Sequence, residues 1–220
     1  MGSLTRKFAN NFTTGGLYKA AAINNASLDN VTAIPAAAKG KLTLISSQTA
    51  SASASISFTS GIDSTYPIYK FEFINIHSSA DTNFSFNFST DGGSNYNVTK
   101  TSTAFEASHR ENGTGETLGY NTNRDLAQST AFQVLSDTLS SANNDANLCG
   151  KLYLFNPSST TYVKHYMATT NFDDPNSPQY TFNYYIAGYG NTTSAINAVQ
   201  FKQSSGNIDA GTIKMYGISA

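Results

Sequence analysis

From Lys41 onward, apolar and polar residues alternate with a period of two. Leu42 and Leu44 flank Thr43, and Ile56 and Phe58 stand against Ser55, Ser57 and Thr59. Tyr69, Phe71 and Phe73 point one way while Lys70 and Glu72 point the other. The cleanest run is Phe84, Phe86 and Phe88 against Ser85, Asn87 and Ser89. Phe182, Tyr184 and Ile186 follow, then Val199 and Phe201 against Gln200 and Lys202. One apolar and one polar face per strand is the pattern of antiparallel sheets with a wet side. Leu152-Tyr153-Leu154-Phe155 is apolar on both sides, which predicts a central strand. Ile213 to Ile218 reads as the final strand.

Turn residues separate these runs at the spacing of a sandwich. Ser60-Gly61-Ile62-Asp63, Asn156-Pro157-Ser158-Ser159 and Asp173-Asp174-Pro175-Asn176 are such breaks, and proline sits where ladder pairing stops. Asp91-Gly92-Gly93-Ser94-Asn95 is read as a hairpin, and Ser205 to Gly211 as the closure of the last one. The stretch 109–147 is the least regular. Arg110 to Asn123 is polar and reads as a long exposed loop. Arg124 to Leu139 fits a helix through Leu126, Leu135 and Leu139, but a strand around Phe132 to Leu135 is the better reading. Nothing repeats at a fixed period, which argues against a solenoid or propeller.

Residues 1–40 differ from the rest, being rich in Ala and Asn, with Gly15-Gly16 and Pro35 as breaks. Ala20 to Ile23 could start a short helix that Asn24-Asn25 would stop. Ordering such an arm costs about 1–2 kcal/mol per residue, which its few apolar side chains do not recover alone. Phe8, Phe12, Leu17, Tyr18, Ile23 and Leu28 are the residues by which it would dock on another subunit. The fold expected is all-β: an antiparallel, jelly-roll-like β-sandwich over 41–220, with a short, mostly irregular N-terminal arm over 1–40.

Composition narrows the chemistry. Charged residues are 12% of 220 and the net charge is −1. A basic face for nucleic acid is not to be expected from that balance. A domain of this size buries roughly 70% of its unfolded surface and stands without disulfides. The single cysteine, Cys149, excludes an internal disulfide framework and is expected to be a small buried hydrophobe. No run approaches the ~20 apolar residues of a membrane span. The N-terminus lacks the apolar core of a secretory signal, so synthesis in a cytoplasm is expected.

Ser89-Thr90-Asp91-Gly92-Gly93-Ser94-Asn95-Tyr96 resembles an Asp box, the Ser-x-Asp-x-Gly-x-Thr-Trp turn of sialidases and other β proteins, with Asn95 and Tyr96 replacing Thr and Trp. Its physics is structural: Asp91 caps turn amides, Gly93 takes a positive φ, and Tyr96 packs inward. His77, His109 and His165 show no metal-ligand spacing. No nucleophile elbow or phosphate loop appears. Asp63, Asp173-Asp174 and Asp209 read as turn caps rather than calcium ligands. No cofactor, metal site or enzymatic activity is expected. Tyr184, Tyr185 and Tyr189 form a candidate cluster for stacking on sugars, although alternate members would belong to the core.

Several strings also carry a family resemblance. Leu44 to Ala50, Phe58 to Tyr66, Asn95 to Thr101, Leu154 to Thr161, Gly188 to Asn197 and Ser204 to Lys214 resemble a domain of virion proteins of marine tailed phages, over roughly residues 41–220. The resemblance implies a non-enzymatic structural protein of the particle, made in the host cytoplasm and displayed outside. Capsid decoration or a vertex or tail component would suit it, in a symmetric homo-oligomer with other virion proteins as partners. A tail-fibre type of module binding a receptor or host surface glycans is the alternative. Neither nucleic acid nor a membrane is an expected partner.

Overall fold

The computed structural model describes residues 42–142, 146–174 and 179–219. The candidate docking residues Phe8, Phe12, Leu17, Tyr18, Ile23 and Leu28, and the short helix at Ala20, lie outside them. Twelve strands and no helix make up the described residues. They are β1 (Leu42–Thr49), β2 (Ile56–Phe58), β3 (Ile68–Ser78), β4 (Thr82–Ser89), β5 (Lys100–Arg110) and β6 (Thr117–Tyr120), followed by β7 (Gln133–Leu139), β8 (Leu148–Phe155), β9 (Lys164–Asp174), β10 (Tyr180–Gly190), β11 (Ala198–Gln203) and β12 (Ile208–Ile218).

One sheet has the order β1-β12-β3-β8-β9-β10-β5-β6, and the other β2-β11-β4-β7. All pairings are antiparallel. Setting aside two inserted hairpins, β5–β6 and β9–β10, leaves β1-β12-β3-β8 facing β2-β11-β4-β7. That is the strand order of an eight-stranded jelly roll. The two hairpins widen the first sheet beyond β8.

The core is aromatic. Phe201 of β11 lies among Phe58, Phe71, Phe73, Phe84 and Phe86, with ring centroids 5.2 to 6.3 Å away. Phe86 and Phe88 of β4 meet Tyr166 of β9 edge-on at 5.2 and 5.6 Å, joining the sheets under the inserted hairpin. Edge-to-face pairs match the negative ring face of one partner to the positive rim of the other.

Several sequence expectations change in this topology. The Asp91 turn is not a hairpin: β4 and β5 belong to different sheets, so it is a corner between sheets. The Ser205–Gly211 turn likewise joins β11 to β12 across the sandwich. Arg110 to Asn123 is not one long loop, because Thr117–Tyr120 pairs with β5. The strand around Phe132 to Leu135 is present as β7 and extends to Leu139. Leu42 and Leu44 face solvent at 47% and 52% exposure rather than the core. A register shift between Leu44 and Ser46 turns Ile45 inward instead. The polar side of β4 is not wet. Ser85, Asn87 and Ser89 are buried and bonded to Lys202 O, to Tyr96 O and Thr130 O, and to Asp91, respectively.

Candidate functional site

Along β5 the buried inward positions hold Lys100, Ser102 and Ala104, along β10 they hold Tyr184 and Ile186, and midway along each strand one aromatic side chain turns outward. Ala104 and Tyr184 are buried; Phe105 and Tyr185 are outward at 44% and 39% exposure. Registers align Tyr120 with Phe105, Phe105 with Tyr185, and Ala107 with Leu118. The rings of Phe105 and Tyr185 stack at 5.2 Å and 12°. Leu118 (77%), Tyr120 (55%) and Met167 (55%) extend this surface across β6, β5, β10 and β9. Its polar fringe includes Tyr120 Oη donating to Asp125 Oδ2 at 2.7 Å. This apolar face, rimmed by polar groups, is the candidate site. Beside it the sheet dips at Gly150, where a Cβ would meet Thr169 O at 2.5 Å. The shallow depression there is bordered by Glu72, Lys151, Asn171 and Asn183.

The structure divides the tyrosine cluster read from the sequence. Tyr184 is no surface residue: it is 1% exposed, packs edge-on against Phe172 at 5.0 Å, and its hydroxyl reaches Asp137 at 3.4 Å. Burial and the Asp137 carboxylate raise its pKa. Tyr185 belongs to the exposed face. Tyr189, half-buried, lies on the same side with its ring 6.0 Å from His165. Phe105, Leu118, Tyr120 and Met167 were missed, because an outward apolar residue in a period-two strand cannot be told from an inward one before the strands are paired.

The clamp residues do come together. Asp91 Oδ1 accepts hydrogen bonds from Ser89 Oγ at 2.6 Å and the Asn95 amide at 2.9 Å, and Oδ2 accepts from Asn95 Nδ2 at 2.7 Å. These donors hold the carboxylate down at a pKa of about 2. Gly93 has φ 92°, and the Tyr96 hydroxyl lies 2.7 Å from where its Cβ would be. Asn95, standing where the motif has Thr, thus holds both carboxylate oxygens, one through its backbone N–H and one through its side-chain amide. Asp63 is also a turn cap, accepting from Thr65 N at 2.8 Å. Asp209 instead contacts His77 Nδ1 at 2.8 Å, and His109 approaches Glu116 at 3.5 Å. Among the described residues no group of three or more His, Cys, Asp or Glu is placed to hold a metal ion.

Cys149 is exposed, not buried. The alternation of β8 puts Leu148, Leu152 and Leu154 inward and Cys149 and Lys151 outward. Two lysines are buried, which no pattern in the sequence indicates. Lys100 and Lys164 have no exposed surface, and both pair with Gly190, one from each side of β10. Lys164 Nζ donates to the carbonyls of Tyr162, Thr192 and Thr193 at 2.8, 3.3 and 3.0 Å, which uses all three of its protons. Lys100 Nζ reaches only Asn87 Oδ1 and Val98 O, at 2.5 and 2.8 Å. Burial lowers its pKa to about 7.

No family model, curated protein or solved structure matches the chain.

Proposed function

We propose that this protein is an assembly component of a tailed-phage particle, without enzymatic activity, that packs against a neighbouring subunit through the outer face of β6, β5, β10 and β9. The observation that carries the reading is that face: Phe105, Leu118, Tyr120, Met167 and Tyr185 form one exposed apolar surface on a sheet whose inner face is already filled. Interfaces are enriched in Tyr, Phe and Met at the expense of charge, and this surface has that composition. The family resemblance of the sequence supplies the particle, and the 1–40 segment supplies the attachment. The stacking of Phe105 on Tyr185 favours a protein partner over a sugar, because each ring already covers the other's face. Capsid decoration fits the size of the domain, and a vertex or tail position fits equally.

The test uses full-length protein and two variants, one lacking residues 1–40 and one carrying Phe105→Ser, Leu118→Ser and Tyr185→Ser together. Both should fold, and both should lose incorporation into particles or the native oligomer. Retained incorporation by the triple variant refutes the role of the face. The second reading, a receptor- or glycan-binding module, draws on the polar fringe at Tyr120 and Asp125. It predicts that the 41–220 domain alone binds cells or a glycan array, and a blank array counts against it.

A further inference from the structure

Lys100 and Asn87 are both fully buried and stand in different sheets, β5 and β4. Their side chains meet with Nζ 2.5 Å from Oδ1, so the amide carbon lies one bond beyond a close contact. The amide is held on every side. Phe88 N–H donates to Oδ1 at 2.8 Å, and Nδ2 donates to Tyr96 O and Thr130 O at 2.8 and 2.9 Å. Thr130 is held there because its neighbour Ser129 exchanges both backbone hydrogen bonds with Lys100.

Three features of this arrangement serve acyl transfer. The oxygen faces a fixed backbone donor, where negative charge would develop on attack. The amide cannot rotate away, so the amine is kept beside the carbonyl group and needs only a small shift from its oxygen toward Cγ. The amine is desolvated with no ion partner: burial lowers its pKa, and among the described residues no carboxylate bonds to it. A lysine so placed holds much of its population as free amine near neutral pH, which is the nucleophilic form. Lys164 is an internal contrast, equally buried but saturated by three carbonyls, with no side-chain amide in contact.

We propose that Lys100 and Asn87 condense into an intramolecular isopeptide bond that staples β4 to β5 across the sandwich. The Nζ lone pair attacks Asn87 Cγ, and the carbonyl π electrons move onto Oδ1 against the Phe88 N–H. One proton passes from Nζ to Nδ2. The Cγ–Nδ2 bond then breaks, the carbonyl re-forms, and ammonia leaves. A primary amine and a primary amide become a secondary amide and ammonia, with no oxidant, cofactor or added water. The carbonyls of Tyr96 and Thr130 accept the N–H groups of the leaving nitrogen throughout. The bond closes the corner that the Asp91 clamp shapes, and it stands independently of the assembly reading.

Intact mass measurement of the denatured full-length chain decides the matter. The mass should fall below the sequence mass, with or without Met1, by one ammonia. A protease digest should contain one branched peptide joining the segments of Asn87 and Lys100. Lys100→Arg and Asn87→Ala should restore the full mass. An unmodified mass in the wild-type chain overturns the proposal, and so does an ammonia loss that persists in Lys100→Arg. The wild-type mass and the branched peptide are decisive even where a variant fails to fold.

Discussion

Asp91 is a surface carboxylate whose work is done through its neighbours. Ser89, Asn95 and the Asn95 amide favour its charged form, so its folded pKa lies near 2, against an ordinary value of 3.8. A depressed carboxylate pKa adds stability that is complete above the unfolded pKa and disappears as pH falls through the folded one. Asp91→Ala should therefore melt below the wild type at pH 7. That gap should shrink as pH falls from about 4 toward 2, where the wild-type carboxylate also loses its charge. Thermal melts across that range check it, and an equal gap at both ends contradicts the clamp. The motif spacing made this residue legible before any fold was known, because an Asx turn is a local structure. Cys149 and Tyr184 were not legible in the same way. Each occupies one of two alternating positions, and which face is the core is settled by the partner strands.

The strands of the core and those of the inserted hairpins respond differently to substitution. Phe201 on β11 touches five other phenylalanines and has no exposed surface. Phe201→Ala should cost about 3–5 kcal/mol, the usual loss when a buried aromatic is truncated. Leu118→Ser on β6 should leave stability within about 0.5 kcal/mol of the wild type, because a residue 77% exposed loses little packing. Denaturant titration of the two variants checks both, and a large loss at Leu118 would mean that its face is covered in the isolated protein. The phenylalanine strands were readable because Phe84, Phe86 and Phe88 alternate without exception. β6 was not, since Thr117–Tyr120 is too short for a period to emerge and Gly119 interrupts it.

At the scale of the whole molecule, the jelly roll brings the first and last described strands side by side, with Leu42 opposite Ile218. Closing so long a loop before its contacts form slows folding, so refolding should run on a milliseconds-to-seconds scale. Stopped-flow refolding measures this, and a microsecond phase carrying the full amplitude contradicts it. The same long-range pairing explains what could be read in advance. Alternation and turn residues are properties of neighbours in the chain, so the sequence by itself determined that the protein is an antiparallel sandwich, where most strands lie, and how the Asp91 turn is clamped. Tertiary structure alone decided which turns cross between sheets, how the β5–β6 and β9–β10 hairpins widen one sheet, and where the exposed aromatic face falls. It also decided that Asn87 and Lys100 meet in a dry interior. Each of these depends on contacts between strands far apart in sequence, and a period of two carries no record of which strand lies next to which.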